Sequence, residues 1–340
     1  MSDEIQKSIA PEAPPERAQY TKINIKALEL YASDFQIDIF LRLSQQKFVK
    51  VCKREDSQAY SKSIIEKYKA KGIIDMYLET EDYVSFVSSI RQILTSKIRS
   101  AEAAGPAQQL GQLSVVHDVI KVSFNEGYIN ADTIALAKEL TSETANSIAK
   151  IDIFEKYAEF KANCSGEYLH ALLSSYLACA MAEEFSWCNS EVKQKIVLGA
   201  LLCDVTLSPE DFKEMREKKN NITELSKKIL DHPLNIALRL QNERDFISKE
   251  TLAIIREHHE RPNGKGYPHG VNYGSVTVLT AIYIIANYFI EQMFDQSYQE
   301  DFKQEKMDRI VELIKEKFYS GNYRKASDAL EKIYHSRFKI

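Results

Sequence analysis

Histidines are concentrated in one stretch of this sequence. Five of the chain's seven histidines lie between Cys164 and Tyr273, namely His170, His232, His258, His259 and His269. Imidazole is the commonest metal ligand in proteins, and Asp204 within the same stretch offers a carboxylate. Each histidine taken alone is more often a structural residue than a ligand. Taken together, these side chains indicate a site that holds metal ions.

The densest group begins at a histidine doublet and runs as HHERPNGKGYPHG, residues 258–270. Helical spacing from Thr251 to His258 places the doublet at the end of a helix. Adjacent helical residues point about 100° apart, so His258 and His259 serve together only where they line a cavity that holds more than one metal. The glycines allow a close backbone approach, and the Tyr-Pro pair predicts a rigid aromatic corner.

The segments that carry these residues are predicted to be helical. From about Leu113 onward, apolar residues recur at helical spacing, and no segment of this half reads as a strand. Examples of the spacing are Ile134, Ala137 and Leu140, and later Ile148, Ile151 and Phe154. The pattern predicts an α-helical bundle that begins between Gly105 and Ser123, with Gly105-Pro106 as the best candidate linker.

The N-terminal part of the chain alternates between strand and helix patterns. Residues 37–43 and 47–51 are rich in β-branched and aromatic residues and read as a hairpin, and residues 74–78 read as a third strand. A helix is predicted over residues 57–70, and another begins at Glu81. This small α/β unit has no cluster of catalytic residue types. Sensing, partner contact, dimerisation and plain structural support all remain open for it.

Composition sets the broad class of the protein. The hydrophobic fraction of 44% and the charged fraction of 28% are typical of a soluble globular protein. The formal net charge of −4 gives no general attraction to nucleic acid or to an anionic membrane, so neither is expected as a partner. The five cysteines are scattered and include no CxxC pair, which predicts reduced thiols in the cytoplasm rather than a disulfide framework or a zinc knot.

Two segments need to be distinguished from targeting or membrane signals. Residues 1–19 are acidic at their start, contain three prolines and lack an apolar core, so we expect a disordered leader rather than a signal peptide. The longest nearly apolar run, from Val278 to Ile290, is shorter than the ~18 residues that a bilayer span requires. We therefore expect a buried core helix there and a cytoplasmic location.

The string that begins at the histidine doublet resembles the HHE-x-x-DG-x-GYP-x-G signature of HD-GYP domains, which are relatives of the HD phosphohydrolases. Three upstream segments resemble other parts of the family pattern in the same order: HALLS at 170–174, LLCDVTL at 201–207 and DHP at 231–233. The resemblance covers roughly residues 165–291. Together with the patterns above, it predicts an α+β protein with a leader at 1–19, a small N-terminal α/β domain at 20–104 and an all-α HD-GYP-like helical domain at 105–340.

The resemblance implies a metal-dependent phosphodiesterase that converts cyclic di-GMP to pGpG and then to GMP. It implies a divalent metal cofactor of one or two ions, with iron or manganese expected, which would activate water for attack on the phosphodiester. The positions that match the family's metal ligands are His170, Asp204, His232, His258 and His259. Asp204, His258 and His259 would carry the catalysis, with Asp204 as the carboxylate that bridges two metals.

The loop after the doublet is implied to contact a substrate or a partner. Its residues with that expected role are Glu260, Arg261, Lys265, Gly266, Tyr267 and Pro268. The implied ligand is cyclic di-GMP or a related cyclic dinucleotide. In the family this loop is linked to diguanylate cyclase domains of the GGDEF type, which are therefore a candidate partner, and a homodimer is left open.

Four positions depart from the family pattern: Cys203, Leu207, Asn263 and Asn287. Cys203 replaces the histidine of the HD pair. Its thiolate could bind a softer metal, and a buried structural thiol is an equally good interpretation. Leu207 replaces a lysine, and Asn263 and Asn287 each replace an aspartate, the second of them a metal ligand. Losing a carboxylate ~4 Å from a dication forfeits roughly 8 kcal/mol at an effective dielectric of ~20, so a second metal should be held less tightly.

Three functions follow from this pattern. The combined loss of a histidine, a lysine and an aspartate favours a cyclic di-GMP signalling protein that keeps a metal-binding phosphodiesterase-like domain, with reduced or lost hydrolysis. The retained ligand positions and loop instead support an active phosphodiesterase. A third interpretation is a helical protein-interaction module in which the histidines hold one structural metal.

Overall fold

The computed structural model of the 340-residue chain describes residues 19–31, 36–102, 105–152, 154–218, 221–241, 243, 247–270, 276–293 and 304–338. The predicted leader lies outside these residues except for residue 19. The described part contains a small antiparallel sheet at the N-terminal end, followed by helices. The predicted α+β class is therefore confirmed.

The sheet has four strands in the order β1-β4-β2-β3, and every neighbouring pair is antiparallel. Their bounds are β1 Tyr20–Asn24, β2 Ile39–Ser44, β3 Lys47–Cys52 and β4 Asp75–Glu79. The predicted hairpin is confirmed as β2 and β3, whose register pairs Ser44 with Lys47 across the turn. The predicted third strand is β4, one residue later than expected. Strand β1 was not predicted, because only five residues separate the leader from the first helix.

Three helices accompany the sheet: α1 Ile25–Tyr31, α2 Gln58–Ala70 and α3 Thr80–Glu102. The side chain of Ser57 accepts a hydrogen bond from the Tyr60 amide and so caps α2 at the predicted start. Helix α3 is long enough to leave the sheet and pack against the helices that follow. On α3, the Tyr83 hydroxyl donates to the Val119 carbonyl at 2.7 Å in the interior. One continuous hydrophobic core therefore joins the two parts of the chain, and the boundary near residue 104 stays a prediction.

The remaining helices form the bundle. Their bounds are α4 Pro106–Asn125, α5 Ala131–Ile148, α6 Tyr157–Asn163, α7 Gly166–Ala182, α8 Ser190–Cys203, α9 Pro209–Glu217, α10 Lys227–Leu240, α11 Lys249–Glu257, α12 Val278–Met293, α13 Gln304–Lys317 and α14 Gly321–Ile333. A short 3₁₀ turn lies at Ile222–Glu224, and a π-helical turn at Tyr334–Phe338 ends the described chain. No strand occurs among the described residues after Glu79, which agrees with the prediction made for the chain from about Leu113 onward.

One helical prediction was wrong. The spacing of Ile148, Ile151 and Phe154 predicted a helix over these residues, but α5 ends at Ile148. The chain turns there, and the carboxylate of Asp152 accepts hydrogen bonds from the amides of Phe154 and Glu155. Such a local turn competes with the helix, so apolar spacing alone did not show the break.

Helix α12 runs through the centre of the bundle and packs against α7, α11 and α14. Every residue from Leu279 to Ile290 is buried, which confirms the predicted core helix. No helix among the described residues combines the length and the apolar character that a membrane span demands. The α7–α12 contact places His170 of α7 opposite Asn287 of α12.

Gly199 sets the separation of the two helices that end at the candidate ligands. A Cβ added at Gly199 of α8 would lie 2.7 Å from Cγ2 of Ile254, a buried side chain of α11. Real side chains do not approach so closely, so only glycine permits this packing. The ends of α8 and α11, with Asp204 and His258, owe their proximity to it.

We expect Gly199→Val to lower the free energy of unfolding of the metal-free protein by roughly 1–3 kcal/mol, because the added methyl groups overpack the core against Ile254. Urea unfolding followed by circular dichroism would measure this. Gly166→Val is the matched control, since a Cβ at Gly166 of α7 meets no atom within 4 Å. Equal stability of the two variants would contradict the assignment.

Candidate metal centre

Four side chains converge at the C-terminal ends of α8 and α11 and the middle of α10. Asp204 directly follows α8, His232 lies within α10, and His258 and His259 directly follow α11. One ligand atom from each residue lies within 4.8 Å of the other three. The three histidines are at most 3% exposed. The structure thus brings together four of the five ligand positions identified in the sequence.

Hydrogen bonds fix the orientation of two of these rings. His232 Nδ1 donates to the Ile229 carbonyl at 2.6 Å, and His258 Nδ1 donates to the Ile255 carbonyl at 2.8 Å. A carbonyl can only accept, so a neutral ring keeps its lone pair on Nε2. The two Nε2 atoms lie 3.2 Å apart, and they lie 3.1 and 3.4 Å from Asp204 Oδ1. Two lone pairs and a carboxylate oxygen repel at these distances unless a cation or a proton lies among them.

The charge states of Asp204, His232 and His259 suit a cation. Burial lowers the pKa of His232 and lowers that of His259 well below its usual value, so both rings are neutral near pH 7. Burial disfavours the Asp204 carboxylate, but interactions with the adjacent His232 and His258 rings outweigh that effect and hold the pKa of Asp204 well below its usual range. Neutral imidazoles and an ionised carboxylate are the forms that bind metals.

His259 has a nitrogen atom without a partner. Its Nε2 is buried and finds no hydrogen-bond partner among the described residues. Its ring stacks on Tyr267, with centroids 4.5 Å apart and an interplanar angle of 22°. A buried polar atom left unpaired costs about 1–3 kcal/mol, and a metal ion would satisfy it. The residues present therefore fit a divalent metal.

The loop that follows the histidine doublet is held by close contacts between its own residues. A Cβ at Gly266 would lie 2.4 Å from the Arg261 amide nitrogen, so glycine is required there. The buried Glu260 accepts a hydrogen bond from the His269 amide at 2.8 Å. The Tyr267–Pro268 peptide is cis and forms the predicted corner. Tyr267 faces inward, whereas Asn263, Lys265 and His269 are exposed.

The fifth predicted ligand, His170, belongs to a neighbouring group. Its Nε2 lies 2.8 Å from Asn287 Oδ1, which also accepts from the Ser174 hydroxyl at 3.2 Å. The Asn287 Nδ2 donates to Glu291 Oε1 at 2.9 Å, one helical turn further along α12. Glu291 Oε1 in turn lies 3.9 Å from His259 Nδ1. The two groups therefore adjoin through Glu291 and His259.

Three of the four departures from the family pattern, Cys203, Leu207 and Asn287, are buried. The Cys203 sulfur lies 3.2 Å from the Tyr283 hydroxyl and contacts the Ala200 carbonyl at 3.5 Å. Burial raises the pKa of the Cys203 thiol well above its usual value, which keeps it protonated. This arrangement is that of a structural thiol, although its use as a ligand stays a prediction. Leu207 is completely buried and places no cation beside Asp204.

A cavity of about 710 Å³ reaches His170, Asp204 and His259. Cationic side chains in its wall are Arg216, Arg261, Lys265 and Lys317. Three tyrosines also line it: Tyr267 and Tyr288, which are buried, and Tyr319, which is 70% exposed. A volume of ~300–1,000 Å³ is usual for small-molecule sites. The cavity thus combines a candidate metal centre with cations and aromatic rings suited to an anionic aromatic ligand.

No protein-family model matches this sequence. No curated protein matches it either. Among solved structures, the chain is similar to Bd1817, an HDG"Y"P protein from Bdellovibrio bacteriovorus, with a TM-score of 0.59 over 93% of this chain and 100% of that one. The chain has an HD-GYP-like fold. At 16% sequence identity this likeness concerns the fold alone, so roles for the residues in the HD-GYP-like bundle rest on the geometry above.

Sequence reasoning missed Glu291 and the cavity wall formed by α13. Glu291 follows Asn287 by four residues, which puts both on one face of a helix. That spacing was visible in the sequence. Lys317 and Tyr319 gave no local signal, because α13 reaches the cavity only through the tertiary packing of the HD-GYP-like bundle.

His117 hydrogen-bonds to the backbone of the segment that leads into Asp204. This residue of α4 is 3% exposed, and its Nε2 donates to the Leu201 carbonyl at 2.9 Å, three residues before Asp204. Burial lowers the pKa of His117 to about 4. The folded protein therefore holds a neutral imidazole where the unfolded chain would bind a proton below pH 6.5.

We expect the metal-free protein to lose stability as the pH falls from 6.5 towards 4, with His117 contributing roughly 3 kcal/mol at the lower end. Above pH 6.5 both states are neutral at this residue and the contribution vanishes. Urea unfolding across this range would show a shallower pH dependence for His117→Asn. The exposed His335 provides the control His335→Asn, and equal slopes for the two variants would refute the role of His117.

Proposed function

We propose that this protein binds a cyclic dinucleotide, with cyclic di-GMP as the first candidate, beside a divalent metal centre, and hydrolyses it slowly or not at all. One observation carries the proposal: the ligand atoms of Asp204, His232, His258 and His259 lie within 4.8 Å of one another. Two of these residues, Asp204 and His259, also line a cavity with a cationic wall. The HD-GYP-like fold supports the same assignment.

The four clustered residues would hold one divalent ion, with iron or manganese expected and a second ion proposed beside it. A divalent ion at such a site activates water for attack on a phosphodiester and offsets the charge that develops on phosphoryl oxygens. The chain's own contribution is to keep Asp204 ionised and His232 neutral in a buried environment. The backbone carbonyls of Ile229 and Ile255 orient the two rings.

The cavity wall supports an anionic ligand with aromatic bases. Arg216, Lys265 and Lys317 can pair with phosphate oxygens, and the formal net charge of −4 means that such attraction must be local. Lys317 is held in place by its hydrogen bond to the Tyr288 hydroxyl at 2.9 Å. The exposed ring of Tyr319 offers a face on which a base can stack.

Two features support reduced hydrolysis. The buried Cys203 thiol is protonated; it contacts the Tyr283 hydroxyl at 3.2 Å and donates to Asp204 Oδ2 at 3.5 Å, and it is not one of the four clustered residues. Leu207 is apolar and buried, so no cation accompanies Asp204 from that position. Full phosphodiesterase activity is the second candidate, and the clustering of Asp204, His258 and His259 supports it, because metal-dependent hydrolysis needs ligands grouped in this way.

A partner surface is also part of the proposal. The exposed residues of the loop are Asn263, Lys265 and His269, whereas Tyr267 is turned to His259. A diguanylate cyclase domain or a second copy of the chain would therefore contact the polar tip of this loop rather than its tyrosine.

The metal centre is tested by metal analysis of anaerobically purified protein. We expect at least one divalent ion per chain in the wild type and its loss in His258→Ala, because that change removes a ligand from the centre of the cluster. His269→Ala, on the exposed part of the same loop, should keep the metal. A wild-type protein without metal after reconstitution with iron or manganese would refute the proposal.

The ligand is tested by calorimetric titration with cyclic di-GMP. Lys317→Ala should weaken binding at least tenfold, since a buried phosphate contact contributes about 1.5–3 kcal/mol. Lys315→Ala is the control, because Lys315 of the same helix pairs with Glu331 at 2.6 Å. Chromatography of the products would then measure turnover to pGpG or GMP. No binding by the metal-loaded wild type would exclude a cyclic di-GMP function.

A further inference from the structure

The two oxygens of the Asp204 carboxylate have different surroundings. Oδ1 lies 3.1 Å from His232 Nε2 and 3.4 Å from His258 Nε2. Oδ2 lies 3.5 Å from the sulfur of Cys203, and the thiol is the donor in that contact because a carboxylate only accepts. One oxygen therefore faces the candidate metal ligands, whereas the other faces a buried thiol on the preceding residue.

The Cys203 thiol connects Asp204 to the central helix. Cys203 is the last residue of α8, and its sulfur lies 3.2 Å from the hydroxyl of Tyr283 on α12; both residues are fully buried. The Ala200 carbonyl, also 3.5 Å from the sulfur, is the competing acceptor. An ionised carboxylate binds a donor more strongly than a neutral carbonyl does, so the thiol proton is directed to Oδ2. The Tyr283 hydroxyl is then free to donate to the sulfur.

We propose that Cys203 is a positioning residue, which holds Asp204 through Oδ2 so that Oδ1 is presented to a metal ion bound by the four-residue cluster. This inference rests on the proposed metal centre and names what orients one of its ligands. Hydrogen bonds behind a metal ligand fix its orientation, and losing one typically weakens metal binding by about 10–100-fold.

A direct ligand role for Cys203 does not fit the same geometry. The four ligand atoms that lie within 4.8 Å of one another do not include its sulfur. A thiol binds a metal as the thiolate, and a thiolate has no proton to donate to Asp204 Oδ2. The two roles therefore exclude each other, and the contact with Oδ2 favours the positioning role.

The remaining interpretation is that Cys203 only fills space in the core, as buried cysteines often do. A space-filling residue can be replaced by another small apolar residue without effect on the metal. A positioning residue can be replaced only by a side chain that still donates a hydrogen bond. Serine keeps a donor at this position, whereas alanine and valine do not, so the two interpretations predict different orders of metal affinity.

The experiment titrates metal-free protein with Co²⁺ in five forms: wild type, Cys203→Ser, Cys203→Ala, Cys203→Val and Cys179→Ala. Alanine and valine both lack a donor but differ in volume, so a loss shared by the two does not arise from a cavity. Cys179→Ala is the control for removing a buried thiol elsewhere, since Cys179 lies on α7 with its sulfur 3.9 Å from the Lys193 carbonyl. Circular dichroism checks that each variant is folded.

Calorimetry gives the dissociation constants for Co²⁺, and absorption spectra show whether sulfur binds the ion through a sulfur-to-cobalt charge-transfer band. We expect wild type, Cys203→Ser and Cys179→Ala to bind Co²⁺ with similar dissociation constants and without that band. Cys203→Ala and Cys203→Val should bind Co²⁺ more weakly by about tenfold or more.

Three results would overturn this inference and leave the metal centre standing. These are wild-type affinity in the alanine and valine variants, a serine variant as weak as they are, or a charge-transfer band that is present in the wild type and absent in Cys203→Ser. A wild type that binds no Co²⁺ would overturn the inference and the metal centre together.

Discussion

The rest of this structure depends on one unfavourable contact, in which two imidazole nitrogens and a carboxylate oxygen lie within 3.4 Å of one another in the protein interior. Each imidazole is turned into this arrangement by a backbone carbonyl of its own helix, at Ile229 and Ile255. Folding thus gathers lone pairs that repel each other, and the packing of the bundle must supply the opposing free energy. A site that is costly in this way when empty is prepared to bind a cation.

The surrounding elements each help to hold these mutually repelling groups in place. Gly199 allows α8 and α11 to approach closely enough for Asp204 and His258 to meet. His117 of α4 satisfies the carbonyl of Leu201 at the end of α8. Burial keeps the pKa of His232 low, so this ring does not relieve the repulsion by taking up a proton near pH 7. The cluster is therefore held by the bundle as a whole and not by local sequence.

Much of the fold was predictable because its signals are local. The β2–β3 hairpin, the cap at Ser57 and the helix that ends just before His258 follow from periodicity and capping residues. The convergence of four ligand positions was anticipated from a motif, and geometry now supports it. What could not be predicted depends on tertiary contacts: the partner of the Cys203 thiol at Tyr283, the approach of Lys317 to the cavity, and the hydrogen bond between Asn287 and Glu291.

His232 lies 28 residues after Asp204 and 26 residues before His258, so an ion coordinated by the three would tie together distant parts of the chain. Closing loops of this length removes entropy from the unfolded chain, as a disulfide does. All five cysteines of this protein are free thiols, so no disulfide bond cross-links the chain. Metal supply would then act as a folding cofactor, and the abundance of the native protein in a cell would follow the availability of that ion.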